Sequence, residues 1–98
     1  MTEWYVLDGH EPKPVESLEE WAKQSQGFPH VADETIGAVR VSTIFLGLDH
    51  SHGFGPPQLF ETMIFGGEYN GYQERCSTWE QAVAMHERAC ALVGSNIQ

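Results

Sequence analysis

Two apolar segments decide the fold: V-R-V-S-T-I-F-L-G-L at residues 39–48 and Q-L-F-E-T-M-I-F at residues 58–65. Both carry apolar residues at successive positions, which is typical of strands buried on both faces at the centre of a sheet. A single connection separates them along the chain. They therefore predict an antiparallel β-hairpin of Val39–Leu48 and Gln58–Phe65, with Asp49–Pro57 as its loop.

Three further elements are predicted on the N-terminal side of this hairpin. They are a strand at Trp4–Leu7, a helix from about Leu18 to Gln26 and a weaker strand at His30–Ile36. Ser17 and Glu20 match a capping box at the start of the helix. Pro12 and Pro14 argue against regular structure between the first strand and the helix. The turn before residue 39 suits a positive φ at Gly37.

On the C-terminal side, the sequence predicts a short edge strand at Tyr72–Cys76 and a long second helix. Apolar and small residues recur in this helix at offsets of three and four, which indicates one buried stripe. The stripe consists of Trp79, Ala82, Val83, His86, Ala89, Cys90 and Val93. Ser77 and Glu80 match a second capping box, and Gly94 ends the stripe.

The predicted order β-α-β-β-β-β-α gives an α+β fold in a single domain over residues 1–98. Short connections between successive strands favour a mostly antiparallel sheet of four to five strands, with both helices packed on one face. The other face carries either Val41 and Phe45 or the side chains that point the opposite way, and it would then lack a packing partner. This predicts a homodimer.

Charge and composition narrow the classes of partner. The chain is 41% hydrophobic, which is enough for a core, and fourteen Asp and Glu against five Lys and Arg give a net charge of −9. Such a surface repels phosphate backbones and anionic lipid, so we expect no direct nucleic-acid or membrane binding and favour a basic protein partner. Acids at residues 16–20, 33–34 and 68–74 could imitate the charge spacing of nucleic acid, although a solvated charged face explains them as well.

No disulfide framework, basic leader with an apolar core, or apolar run of about 20 residues is visible in the sequence. We therefore expect a cytoplasmic protein. Glycine-rich phosphate-binding motifs are also missing, and we predict no cofactor.

The hairpin loop is the one concentrated polar segment, and Asp49, His50, His52 and Phe54 form the candidate binding loop. If the chain binds a metal, the predicted ligands are His50, His52 and His86, because the first two point to one side of an extended segment. The alternative is structural: Asp49 and His50 would hydrogen-bond the backbone and hold the loop in shape.

Three other polar residues are candidates for a site. His86 lies on the apolar stripe, where it is either a hydrogen-bonded core histidine or a general base acting with Cys76 as nucleophile. Almost three helical turns separate Cys76 from His86, which argues against direct contact. Glu61 interrupts an apolar strand. It is predicted to form a structural ion pair with Arg40 on the neighbouring strand, and the alternative is a functional acid.

The strings V-R-V-S-T-I-F-L-G-L-D-H, P-P-Q-L-F-E-T-M-I-F-G-G and Q-E-R-C-S-T-W-E-Q-A resemble a family of small uncharacterised proteins from bacterial genomes, prophages and phages. The resemblance also includes W-Y-V-L-D and S-L-E-E-W-A nearer the N-terminus. The family pattern reads D-H-N-F where this chain has D-H-S-H, and E-R-Y-S-T-W where it has E-R-C-S-T-W. His52 and Cys76 are therefore departures, whereas His50 and His86 match. The resemblance implies that the expected cytoplasm is that of a bacterial cell or of a phage-infected host.

Three functions remain open at this point. Phage accessory genes often encode short acidic proteins that bind and modulate a host or phage protein, such as anti-defence or anti-CRISPR inhibitors, and this is the function that the resemblance and the charge favour. The second is a small metal- or histidine-dependent enzyme centred on His50 and His86. The third is a homodimeric structural accessory protein.

Overall fold

The computed structural model describes residues 4–24, 29–49, 51 and 55–95, and it confirms the predicted α+β class. The strands are β1 (Trp4–Asp8), β2 (Glu11–Val15), β3 (His30–Ile36), β4 (Val39–Phe45), β5 (Phe60–Phe65) and β6 (Gln73–Cys76), and the helices are α1 (Leu18–Gln24) and α2 (Trp79–Ser95). The observed order contains one strand more than predicted, and the strands are divided between two sheets.

The larger sheet has four antiparallel strands in the order β3-β4-β5-β6. β4 and β5 lie in its interior and β6 at its edge, as predicted. The β4–β5 register places Val41 opposite Ile64 and Thr43 opposite Thr62. Gly37, in the turn between β3 and β4, has the predicted positive φ, 62°.

A separate two-stranded sheet is formed by β1 and β2. The prediction that Pro12 and Pro14 exclude regular structure is wrong, because both lie in β2. Pro12 pairs with Leu7 and Pro14 pairs with Tyr5, so the two prolines occupy alternate positions of the strand. The two missing N–H groups therefore lie on the same side of β2. An edge strand tolerates this, since one of its sides makes no ladder hydrogen bonds.

Helix α2 packs against all four strands of the larger sheet, whereas α1 packs against β1 and β2. Two buried clusters lie between α2 and the sheet. One contains Val39, Val41, Ile64, Ala89 and Val93, and the other contains Phe45, Leu59, Phe60, Ala82 and Met85. Tyr5 and Leu7 of β1 pack against the second cluster, so the smaller sheet extends the core at one end of α2.

Gly47 allows α1 to approach the segment after β4. Its φ is 77°, and a Cβ added there would lie 2.7 Å from Nε1 of Trp21, a separation that side chains do not tolerate. The Trp21 ring also lies 5.2 Å from the ring of Trp4, measured between centroids. A residue without a side chain is therefore needed at the point where α1, β1 and the end of β4 meet.

The predicted cap of α1 is present, because the Glu20 N–H donates a 3.0 Å hydrogen bond to Oγ of Ser17. The predicted cap of α2 is wrong by one residue. Thr78 Oγ1 accepts from the Gln81 N–H at 3.1 Å, and Gln81 Oε1 accepts from the Thr78 N–H at 3.2 Å. Since α2 begins at Trp79, the preceding Thr78 occupies the N-cap position.

Candidate functional site

His86 is the most buried titratable side chain on α2, and it faces the sheet as the stripe predicts. The residue is 3% exposed. Its Nδ1 lies 2.7 Å from Oγ1 of Thr43, which is in turn hydrogen-bonded to Oγ1 of Thr62. Its Nε2 lies 3.2 Å from Oε1 of Glu34 on β3. Both ring nitrogens therefore have partners, and the imidazole is fixed in orientation.

Cys90 joins this group from the next turn of α2. One potential ligand atom from each of Glu34, His86 and Cys90 lies within 4.8 Å of the others. Burial raises the pKa of the Cys90 thiol to about 11, and the negative charge of Glu34 and hydrogen bonding to it contribute in the same direction. We call these three residues the β3–α2 cluster. They combine nitrogen, sulfur and oxygen donors at one edge of the sheet.

The structure explains Asp49 as a structural residue of the hairpin loop. Its Oδ1 accepts hydrogen bonds from the Ser51 N–H at 2.8 Å and the Gln58 N–H at 3.0 Å, which ties the two ends of the loop together. This is the structural alternative that the sequence left open for Asp49. His50, His52 and Phe54, the other residues of the candidate loop, lie outside the described residues.

The predicted ion pair between Glu61 and Arg40 is wrong. The register places Glu61 opposite Ile44 and Arg75, and the Arg75 Nε donates to Glu61 Oε2 at 3.0 Å. Gln73 Nε2 donates to the same oxygen. The buried carboxylate is thus satisfied from the edge strand β6 instead of from β4.

Arg40 has a different acidic partner, Asp33 of β3. The guanidinium donates to both carboxylate oxygens, at 2.9 and 2.8 Å, in the bidentate geometry that arginine favours. These hydrogen bonds hold the pKa of the Asp33 carboxyl below its usual range. The strand register explains both ion pairs. Ile44 is the β4 residue opposite Glu61, and Arg40 lies four residues away from Ile44 along the strand.

Within the described part of the chain, the Cys76 thiol contacts the Thr78 backbone, and the ring nitrogens of His86 contact Thr43 and Glu34. Burial raises the pKa of the Cys76 thiol to about 11, although a hydrogen bond with the Thr78 backbone acts in the opposite direction. A thiol with so high a pKa carries little thiolate near neutral pH, and thiolate is the nucleophilic form. The enzyme hypothesis built on Cys76 therefore receives no support from its environment.

An acidic cleft lies where the β1–β2 turn meets the start of α2. It has a volume of about 430 Å³, and Asp8, Glu11 and Glu80 line it. His10 and Trp79 lie in the same cleft with their rings stacked, 3.8 Å between centroids and 4° between planes. Negative charge is favourable at this end of a helix, because the backbone N–H groups of its first turn have no partners within the helix. We call this feature the α2 cleft.

The face of the larger sheet opposite α2 is partly open. Phe65 is 43% exposed there and Met63 is half-buried, while Val41 and Phe45 are covered by α2. Arg40 lies 5.8 Å from the centre of the Phe65 ring, in cation–π range. We call this the open face; it is the surface on which the predicted homodimer would depend.

Sequence reasoning identified His86 but not its neighbours. Glu34 lies in β3, which has a weak strand pattern in the sequence. The register of β3 on β4 is irregular between His30 and Ala32, and this pairing sets the face of the sheet on which Glu34 lies. Cys90 was expected only as a small apolar residue. A spacing of four residues between His86 and Cys90 was the available signal, because it places both on one helical face.

Comparisons of the chain with protein-family models, with curated proteins and with solved structures find no match. None of the described helices is both long enough and apolar enough to cross a bilayer.

Proposed function

We propose that this chain is a non-enzymatic binding protein that docks an acidic surface, centred on the α2 cleft, onto a basic segment of another protein. The observation that carries the proposal is the way the charges are paired. Each of the five Lys and Arg side chains already forms an ion pair with an Asp or Glu of the same chain. The positive charge of the chain is thus engaged internally, and the excess negative charge is left for a partner.

The excess charge lies on the surface. Asp8, Glu16, Glu68, Glu80 and Glu87 are all exposed, and none of them forms an ion pair with a described residue. Two of these five, Asp8 and Glu80, line the α2 cleft. A lysine or arginine of a partner fits this cleft because its charged end can meet the carboxylates while its aliphatic stem packs against the stacked rings.

The proposal agrees with the expectation of a small acidic accessory protein of phage or prophage origin, acting in the cytoplasm as a modulator of a host or phage protein. Negative potential also disfavours nucleic acid as the direct partner. Catalysis has weaker support, because the pKa of Cys76 is raised and both ring nitrogens of His86 have partners within the fold.

A defined basic probe tests the proposal. An arginine-rich peptide is titrated into the full chain at low and moderate salt, and the affinity of the double variant Asp8→Asn/Glu80→Gln is compared with that of the wild type. Glu16→Gln/Glu68→Gln is the matched control, since it removes the same charge from other exposed positions. We expect a loss of at least about tenfold for the cleft variant and a smaller loss for the control.

Two results would contradict the proposal. Equal losses in the two variants would assign the peptide binding to net charge and remove the cleft as a docking site. No measurable binding by the wild type at low salt, where attraction between opposite charges is strongest, would remove the acidic docking function itself.

A further inference from the structure

We propose that Glu34, His86 and Cys90 bind a transition-metal ion of the Zn²⁺ type. This β3–α2 cluster is separate from the α2 cleft, and the inference does not depend on the docking function. It replaces the metal ligands that the sequence suggested: His86 stays in the set, while Glu34 and Cys90 take the places of His50 and His52.

The backbone brings the three ligands together from two elements. His86 and Cys90 are four residues apart on α2 and therefore lie one above the other on the same helical face. Glu34 pairs with Val41 in the β3–β4 register, so its side chain leaves the sheet on the side that α2 covers. Because β3 is an edge strand, the carboxylate stays accessible, with its side chain 56% exposed.

The distances suit a tetrahedral ion. Bond lengths of about 2.0–2.3 Å at tetrahedral angles place neighbouring ligand atoms roughly 3.3–3.8 Å apart. Nε2 of His86 and Oε1 of Glu34 are already 3.2 Å apart, and all three ligand atoms lie within 4.8 Å of one another. Binding thus requires shifts of about 1 Å, which rotations of the Glu34 and Cys90 side chains can supply.

The hydrogen bonds behind His86 hold the ring in the orientation that a metal needs. A metal bound at Nε2 requires the proton on Nδ1, and Thr43 Oγ1 lies 2.7 Å from Nδ1 as an acceptor for it. The Thr43 hydroxyl can then donate to Thr62. An outer hydrogen bond of this kind is usual for metal-binding histidines, because it fixes the tautomer and points the other nitrogen at the ion.

The electrostatics explain why a cation is favoured. The Cys90 sulfur and a Glu34 carboxylate oxygen lie within 4.8 Å of each other, so a thiolate at Cys90 would face a second negative ligand atom. A divalent ion bound by both atoms offsets that repulsion.

The ligand set leaves a coordination position open. Three protein ligands account for three of the four positions around a tetrahedral ion, and the 56% exposure of the Glu34 side chain gives water access to the fourth. The mixture of imidazole, thiolate and carboxylate favours Zn²⁺ or Co²⁺ over Mg²⁺ and Ca²⁺, which prefer all-oxygen sites.

Co²⁺ is the probe for this site, because thiolate coordination gives a near-ultraviolet charge-transfer band and tetrahedral geometry gives intense visible bands. The full chain is treated with a chelator, exchanged into chelator-free buffer and titrated with Co²⁺, and Zn²⁺ is then added in competition. We expect one equivalent to bind with both features, and Zn²⁺ to displace it.

Matched variants separate this site from other metal ligands of the chain. Cys90→Ser should abolish the charge-transfer band and weaken binding by at least about tenfold, whereas Cys76→Ser should change neither. Glu34→Gln should also weaken binding, and its control is Glu74→Gln on the opposite edge strand β6. The exposed position of Glu34 and the modest change at Cys90 keep these variants foldable, so the test does not depend on replacing buried His86.

The inference is overturned if the wild type shows no charge-transfer band with Co²⁺ in excess. It is equally overturned if the spectrum and affinity survive Cys90→Ser, since the ion would then be bound by other histidines or acids.

Discussion

The two faces of the four-stranded sheet satisfy their polar side chains in different ways. Beneath α2, Thr43, Thr62 and His86 are enclosed by apolar clusters and bond to one another. On the open face, polar groups pair as charges across neighbouring strands, as Arg75 does with Glu61. The covered face therefore depends on burial and directed hydrogen bonds, and the open face on ion pairs that water and salt can weaken.

The largest expected difference between the faces is in packing. Phe60 is fully buried against Phe45 and Trp79, with ring centroids 5.3 and 6.3 Å away. Phe60→Ala should lower the free energy of unfolding by about 3–5 kcal/mol, because it leaves a cavity in the core. Phe65→Ala on the open face should cost about 1 kcal/mol or less, since that ring is 43% exposed. Urea unfolding of both variants measures the difference.

The same pair of variants tests the predicted homodimer. If Phe65 is covered by a second copy, the cost of Phe65→Ala will approach that of Phe60→Ala, and the midpoint of unfolding will rise with protein concentration. A concentration-independent midpoint and a monomeric mass by light scattering at high concentration would contradict the dimer and leave the open face exposed to solvent.

The next largest effect is expected in the buried hydrogen bonds. Thr43→Val keeps the shape and the strand propensity of the side chain but removes the hydroxyl between His86 and Thr62. Leaving those groups buried without this partner should cost about 1–3 kcal/mol. Thr35→Val, at an exposed position of β3, is the control and should change stability by no more than about 0.5 kcal/mol. Both variants are unfolded in buffer that contains a chelator. If Thr43→Val and Thr35→Val lower the free energy of unfolding equally, a structural role for the buried chain of hydrogen bonds is contradicted.

The contrast between the faces also explains what the sequence could predict. The periodicity of α2 identified most of the buried stripe and the inward position of His86, because helical spacing is a local property. It wrongly included Val83, which is 38% exposed, and omitted Met85, which is fully buried. The interior positions of β4 and β5 followed from their apolar composition. Each of these predictions needed only neighbouring residues.

Features that depend on strand register or on contacts between residues distant in the sequence could not be predicted from neighbouring residues. Glu61 was assigned to Arg40 because the offset between β4 and β5 cannot be obtained from composition, and a shift along the strand changes every pair. Glu34 and Cys90 meet only because α2 crosses the larger sheet above β3. β2 was missed because the rule against proline in a strand does not hold for an edge strand.

The last expected effect is a dependence of stability on alkaline pH that arises on the covered side. Burial raises the pKa values of Cys76 and Cys90 from 9.0 to about 11 in the folded chain. Above about pH 9, the unfolded chain loses thiol protons that the folded chain keeps, so the free energy of unfolding should fall between about pH 9 and pH 11. Below that range both states are protonated, and the two thiols contribute no pH dependence. Urea unfolding at several pH values measures this fall.

The double variant Cys76→Ser/Cys90→Ser provides the control for the alkaline effect. Serine does not titrate in this range, so the fall in stability should be smaller than in the wild type, and what remains should reflect other groups such as Tyr72, whose pKa is raised by its hydrogen bond to Glu74. If the double variant keeps the full fall, the thiols do not cause it. A fall reduced by Cys90→Ser but not by Cys76→Ser would instead assign the effect to the β3–α2 cluster, where the adjacent carboxylate opposes the thiolate directly.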